Sequence, residues 1–145
     1  FGSAVAIAGD YAIVGAPQDG KLAYSYAGAA HIFERSGTSW THVARLTASD
    51  RTANDRFGTS VAISGIYAVV GAPASGTDDS GAVYVFRHWR DDWDQVAKIT
   101  ATDGTAANRY FGTSVAIDDT TIVVGAPYDD EGASNAGAIY IYSPQ

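Results

Sequence analysis

The stretches FGSAVAIAGDYAIVGAP at 1–17, FGTSVAISGIYAVVGAP at 57–73 and FGTSVAIDDTTIVVGAP at 111–127 decide the fold. They are one pattern written three times, starting at Phe1, Phe57 and Phe111, with spacings of 56 and 54 residues. A repeat of that length suits the blade of a β-propeller better than a leucine-rich or paired-helix repeat, whose periods are shorter.

Working outward, each copy continues alike. A loop follows Gly-Ala-Pro, then comes a strand pattern: AAHIFER at 29–35, GAVYVFR at 81–87 and GAIYIYS at 137–143. A Trp-led segment follows in two copies, WTHVARLTASD at 40–50 and WDQVAKITATD at 93–103; the third copy runs to Gln145 without one. The repeat units are therefore 1–56, 57–110 and 111–145, in a single array over 1–145. A full unit offers four short strands, at about Ser60–Ile63, Tyr67–Gly71, Ala82–Arg87 and Trp93–Thr100. Alternation is clearest in the third strand, which sends Val83 and Val85 to one face and Tyr84 and Phe86 to the other. Turn residues separate the strands at Ser64-Gly65, Ala74–Ser80 and Arg90–Asp92. The fold class is all-β: four-stranded antiparallel blades forming a propeller or a propeller segment.

Small residues on the first strand (Ala4, Ala6, Ala62, Ala116) suit inner strands crowded around a central channel. Val61 and Ile63 are placed to fill the sandwich between neighbouring blades. Gly71 allows a close backbone approach or an unusual φ. Pro73 has no N–H and ends the ladder. Phe57 beside Gly58 is a bulky anchor at a flexible joint, suited to packing one blade on the next.

Composition agrees and narrows the function. The 145 residues are 46% hydrophobic and only 17% charged, which argues against disorder. Nine basic against 16 acidic residues give a net charge of −7, so a nucleic-acid partner is not expected. No apolar run approaches the ~20 residues that span a bilayer, so no membrane insertion is expected. There is no Cys, which excludes disulfides, thiolate metal sites and a Cys nucleophile. No signal peptide is visible, and the chain starts at Phe1 with no Met anywhere. A mature form, an excised piece or an incomplete chain is expected.

The pattern Phe-Gly…Gly-Ala-Pro, in register three times, resembles the FG-GAP repeat, which builds the propeller of integrin α subunits and occurs in many bacterial secreted proteins. The likeness covers essentially the whole chain, through Phe1, Gly2, Gly15, Ala16, Pro17, Phe57, Gly58, Gly71, Ala72, Pro73, Phe111, Gly112, Gly125, Ala126 and Pro127. The bacterial form is close in Trp…Val-Ala-Lys-Ile-Thr-Ala-Thr-Asp followed by Phe-Gly-Thr-Ser-Val-Ala-Ile. The resemblance implies about seven blades and an extracellular or cell-surface, secreted setting, which the Thr/Ser/Gly/Asp-rich loops also suit. Three blades cannot close a ring at ordinary blade angles. The chain is expected to be part of a longer propeller, or copies are expected to assemble as homo-oligomers into a ring or fibre.

Integrin-like blades carry calcium in the hairpin between their first two strands. Here those hairpins, Ala8-Gly9-Asp10, Ser64-Gly65-Ile66 and Asp118-Asp119-Thr120, are too short and too poor in oxygen ligands for a Ca²⁺ cage. A second acidic cluster lies after Gly-Ala-Pro: Asp78 and Asp79 in one unit, Asp129, Asp130 and Glu131 in the next, with only Asp19 in the first. It is a candidate weak calcium site; the plainer reading is a solvated turn with Asp capping loop amides. No other cofactor is indicated. Asp50 and Asp103, followed by Asn54 and Asn108, occupy matching positions and are expected to brace turns through the backbone.

An active site needs a nucleophile, a base and an orienting group that converge. His31, His42 and His88 sit at unrelated repeat positions, and no known catalytic motif surrounds them. No enzymatic activity is expected. Trp40 and Trp93 match each other and are expected to pack under the outer strand. Tyr24, Tyr26 and Tyr128 lie in loops after Gly-Ala-Pro, and Trp89 in an outer turn beside His88, Arg87 and Arg90. All four are candidate ligand contacts, since sugars and protein surfaces stack on such rings; loop packing is the plainer reading. The expected function is non-catalytic adhesion or binding of a protein or carbohydrate ligand. The alternatives are a self-assembling structural subunit and an accessory propeller of a larger secreted hydrolase.

Overall fold

The computed structural model describes residues 1–102, 109–130 and 136–143. The three repeats fold as three antiparallel sheets, each a meander in which sequential strands pair. The first holds β1 (Ala4–Ala8), β2 (Tyr11–Ala16), β3 (Ala29–Ser36) and β4 (Ser39–Leu46). The second holds β5 (Ser60–Ser64), β6 (Tyr67–Ala72), β7 (Ala82–Trp89) and β8 (Asp92–Ile99). The third holds β9 (Ser114–Asp118), β10 (Thr121–Ala126) and β11 (Ala138–Tyr142).

Period two becomes two packed faces. Tyr84 and Phe86 enter one apolar cluster with Phe57, Val61, Ile63 and Val70, closed by Ile13, Ile32 and Leu46 of the first sheet. Val83 and Val85 enter a second cluster with Ala62 and Val69, closed by Phe111, Ile122 and Val124 of the third repeat. The middle sheet is thus buried on both sides, and its β5 is buried almost throughout. In β1 and β9 the burial alternates, because only one face meets another sheet. The first strands of the three sheets lie closest across the boundaries, and the fourth strands β4 and β8 barely touch. The sheets therefore splay outward from a common inner edge, as propeller blades do.

The small residues of the first strand have a different cause from the one expected. Ala62 does not line a channel; it points at the third sheet, within the second cluster. Ala4, Ala6 and Ala8 likewise lie against the second sheet. Alanine there lets the next blade approach. The Gly-Ala-Pro glycine serves the same approach: a Cβ on Gly71 would overlap the carbonyl oxygen of Gly112, in the Phe-Gly joint of the following blade. Gly71 itself is extended, whereas Gly112 has φ +91°. The Ser60 hydroxyl donates to the same Gly112 carbonyl at 2.7 Å.

Strand limits differ from expectation at the outer hairpin. β7 continues through His88 and Trp89, and β8 already begins at Asp92, so the turn is only Arg90-Asp91. Arg90 takes φ 58° there, and Trp89 pairs directly with Asp92. Pairing carried to a tight turn leaves His88 and Trp89 as strand residues.

Candidate functional site

In an up-and-down meander, alternate turns lie at opposite ends. The β2–β3 and β6–β7 loops share one end with the segments that lead into each next blade. Backbone bonds tie them together. The Asn54, Arg56 and Phe57 amides donate to the carbonyls of Ser25, Tyr26 and Ala27 at 2.9, 3.0 and 2.9 Å. The Tyr110 and Phe111 amides donate to Asp79 and Ser80, both at 3.1 Å. The first two loops after Gly-Ala-Pro are thus each held by the entry strap of the following blade.

The candidate tyrosines stand on this end. Tyr24 and Tyr26 are about half exposed. The Arg51 guanidinium lies 4.5 Å over the Tyr24 ring, a cation–π contact that holds the ring upright. Tyr128 is also half exposed and meets Tyr110 edge to face at 5.5 Å. Trp89 is not with them. It is exposed at the β7–β8 turn, on the opposite end, with Arg87 at 5.8 Å. The four sequence candidates therefore do not form one site.

Beneath the loops runs a polar layer built on one repeated strand position: His31, Tyr84 and Tyr140. Each faces the residue two places after Pro: Asp19, Ser75 and Asp129. Tyr140 donates to Asp129 at 2.7 Å, and Arg109 pairs with Asp129 at 3.1 Å. Asp129 is 1% exposed and Arg109 5%. Tyr84 lies 3.3 Å from the Ser75 hydroxyl and donates to Asp50 at 2.9 Å. Asp50 also pairs with Lys98 at 2.6 Å. His31 lies 3.9 Å from Asp19, which accepts from Arg45 at 2.8 Å.

Charges follow the geometry. The Arg45 hydrogen bond holds the Asp19 carboxyl below its ordinary value. Burial pushes the Asp50 carboxyl up, but the bonds from Lys98 and Tyr84 outweigh it and hold it low. Burial raises the Tyr84 phenol. Burial would lower Lys98, yet Asp50 and Tyr84 keep it raised. Burial lowers His31, and neighbouring His42 and Arg45 add to that.

The acidic candidates separate. Asp129 is neither a solvated turn residue nor a free ligand: it is the buried partner of Arg109 and Tyr140. Asp78 and Asp79 lie in a short 3-10 turn with φ 60° and 53°, and Asp79 accepts from the Tyr110 hydroxyl at 3.3 Å. Asp130 is exposed. Glu131 lies outside the described residues, as do Asp103 and Asn108. Among the described residues no group of three or more His, Cys, Asp or Glu is arranged to hold a metal ion. Asp50, expected to brace its own turn, instead reaches across to Tyr84 and Lys98 of the next blade. Asn54 sits at φ 71°.

The histidines and tryptophans hold contacts that repeat position alone concealed. His31 Nδ1 and His42 Nε2 are 3.0 Å apart across the β3–β4 hairpin. His88 stacks on Trp93 at 5.0 Å, and both rings meet Tyr11 of the first blade. Trp93 therefore packs across the blade boundary and not under its own outer strand. Trp40, its equivalent, is exposed beside Arg35. The hairpin register of each unit was the signal available for these pairs.

Three splayed antiparallel meanders joined inner edge to inner edge define a segment of a β-propeller. The family model of the FG-GAP repeat matches residues 1–33, 40–86 and 93–142. The chain belongs to the FG-GAP repeat family. The second and third matched units open on the Trp-led strands near Trp40 and Trp93, so the family's unit is phased one strand earlier than 1–56 and 57–110. No curated protein matches the chain. No helix among the described residues is long and apolar enough to cross a membrane.

Proposed function

We propose that this propeller segment is a non-catalytic binding or adhesion module of an extracellular or cell-surface protein, taking a protein or carbohydrate ligand on the end that carries the β2–β3 loop. The observation that supports it is the exposure of Tyr24, Tyr26 and Tyr128 on one end, with the loop of Tyr24 and Tyr26 strapped to the next blade's backbone and the Tyr128 ring set against Tyr110. A ring held in place presents apolar area and a hydroxyl at little ordering cost on binding. A glycan array together with a pull-down against surface proteins tests the reading. Saturable binding lost in Tyr24→Ala, Tyr26→Ala or Tyr128→Ala supports it. Binding unchanged in all three sinks the loop-end assignment.

A second reading, self-assembly, is favoured by the two outward sheet faces. Val5 (71%) and Ile7 (67%) are exposed on the first blade, and Ile139 (72%) and Ile141 (63%) on the third. They occupy the positions that Val61 and Ile63, and Val83 and Val85, bury inside. Copies joined head to tail would cover both faces through the pairing already used between blades. Light scattering on Val5→Asp and Ile139→Asp variants tests it: oligomers that survive both changes count against it.

A further inference from the structure

We propose that the loop end at the boundary of the first two blades takes a short acidic oligosaccharide, whose sugar rings stack on Tyr24 and Tyr26 and whose carboxylates pair with Lys21, Arg51 and Arg56. The proposal rests on the loop-end binding reading and adds a ligand class to it.

The loop 18–28 and the strap 49–56 carry three acids and three bases. The acids are engaged. Asp19 accepts from Arg45, and Asp50 accepts from Lys98 and Tyr84. Asp55 is 3% exposed and accepts from the Thr52 amide and hydroxyl at 2.6 and 2.7 Å. The bases are not engaged by acids: no ion pair among the described residues includes Lys21, Arg51 or Arg56. Every other basic residue pairs with an acid except Arg87 and Arg90, at the opposite end. A chain of net charge −7 thus leaves three cations without a carboxylate on this one surface. The Arg51 guanidinium lies 4.5 Å over the Tyr24 ring. Stacking steadies its planar fork and leaves the in-plane N–H donors available to a carboxylate.

The fold does not require the side chains of Tyr26 and Arg56. Their backbone bond, from the Arg56 amide to the Tyr26 carbonyl at 3.0 Å, recurs at the next boundary from Tyr110 to Asp79 at 3.1 Å. All four residues sit at φ between 53° and 57°, a conformation that bulky side chains seldom adopt. The scaffold is kept while the side chains are exchanged. Asp79 and Tyr110 satisfy each other, hydroxyl to carboxylate at 3.3 Å. Tyr26 and Arg56 are exposed instead. Bulky, exposed residues held in a costly backbone conformation point to contact with a ligand.

The main chain here is already paired. The Asn54, Arg56 and Phe57 amides bond the loop carbonyls, and the Ala27 and Gly28 amides bond the Tyr24 and Asp19 carbonyls at 3.0 and 2.8 Å. An added peptide strand finds no open ladder, so recognition falls to rings and cations. Sugar rings stack on aromatic faces, and Arg holds carboxylates bidentately. The negative charge of the whole chain opposes a long polyanion. A short oligosaccharide with few carboxylates suits both conditions.

The test uses the whole chain and trigalacturonic acid, followed by titration calorimetry, with the fully methyl-esterified trisaccharide as the neutral counterpart. Saturable binding of the acid is expected, weakening as salt rises. The ester is expected to bind at least about tenfold more weakly, as loss of charge-assisted bonds implies. Arg51→Gln, Arg56→Asn and Tyr26→Ala are each expected to weaken binding of the acid. Arg90→Asn removes a cation at a matching backbone angle, φ 58°, on the opposite end and should leave binding unchanged. Asn keeps the left-handed conformation in both arginine variants. No saturation by about 1 mM, the weak end of the affinity scale, overturns the proposal. Equal binding of the ester does so too, as does an equal loss in Arg90→Asn. Tighter binding of a Glu-rich peptide would assign the surface to an acidic protein and overturn it as well. A neutral glycan or protein bound through Tyr26 and indifferent to Arg56→Asn would overturn this ligand class while leaving the loop-end reading in place.

Discussion

The α-carbon of Gly71 lies directly under the carbonyl oxygen of Gly112, so closely that no side chain fits between them. Gly15 meets Gly58 in the same way one blade earlier. The two glycine signatures of the repeat are thus two halves of one contact: the Gly-Ala-Pro glycine of one blade beneath the Phe-Gly glycine of the next. Phe57 and Phe111, fully buried beside those joints, fix the approach from the other side.

Gly71→Ala is therefore expected to destabilise the fold by about 3 kcal/mol, the upper range for overpacking. Gly125→Ala occupies the same repeat position but meets only the rotatable side chain and carbonyl of Ser114. It is expected to cost clearly less. Urea unfolding of both variants checks this; equal losses would show that the inter-blade contact is not the cause.

Asp129 and Arg109 form an ion pair away from water. Removing one partner strands the other charge, at about 3–5 kcal/mol. Asp129→Ala should lower the unfolding midpoint sharply. Replacing the exposed Asp94 of β8 by Ala should leave it nearly unchanged. A mild effect at Asp129 would mean that the pair is solvated.

Trp93→Ala should cost about 3 kcal/mol, within the range for large aromatic truncation. It removes the contact with Tyr11 and the stack on His88. Trp40→Ala should cost about 1 kcal/mol or less as a surface change, since its ring is exposed. Thermal unfolding of the two variants compares them; equal shifts would reject the cross-blade role of Trp93.

Acid should act in two stages. His31 has a lowered folded value, so the unfolded chain takes that proton first. Stability is whole above about pH 6.5, the ordinary value, and is lost as pH falls through the folded value. Asp19 and Asp50 are also held low. Their contribution is whole above about pH 4 and is lost as pH falls through their folded values. His31→Tyr, which copies Tyr84, should remove the first stage and leave the second. A pH-stability curve of that variant with the first stage intact would exclude His31 as its source.

Much of the fold was legible because it is periodic. Three copies of one pattern set the number of sheets, and alternation in Ala82–Arg87 assigned Val83 and Val85 to one face and Tyr84 and Phe86 to the other. Period two survives in sequence because each face has its own neighbour to fill. The strand ends were less legible. His88 and Trp89 look like turn residues beside Arg90, yet ladder pairing carries them into β7.

The candidate site was legible only in part. Asp129 looks like any turn acid, because its partner Arg109 lies 20 residues upstream in the strap before Phe111. A faint signal existed: where the strap holds Asp55 the loop holds Ser75, and where it holds Arg109 the loop holds Asp129.

The sequence by itself determined the repeat, the all-β blade, the glycine joints and the faces of each strand, because these are local or repeat every blade. Tertiary structure alone decided which polar groups meet across a blade boundary and which aromatic rings pack there. Those outcomes depend on the splay between sheets, which brings Tyr84 to Asp50 and Trp93 to Tyr11 from distant parts of the chain. No local pattern encodes that angle; the packing of whole faces sets it.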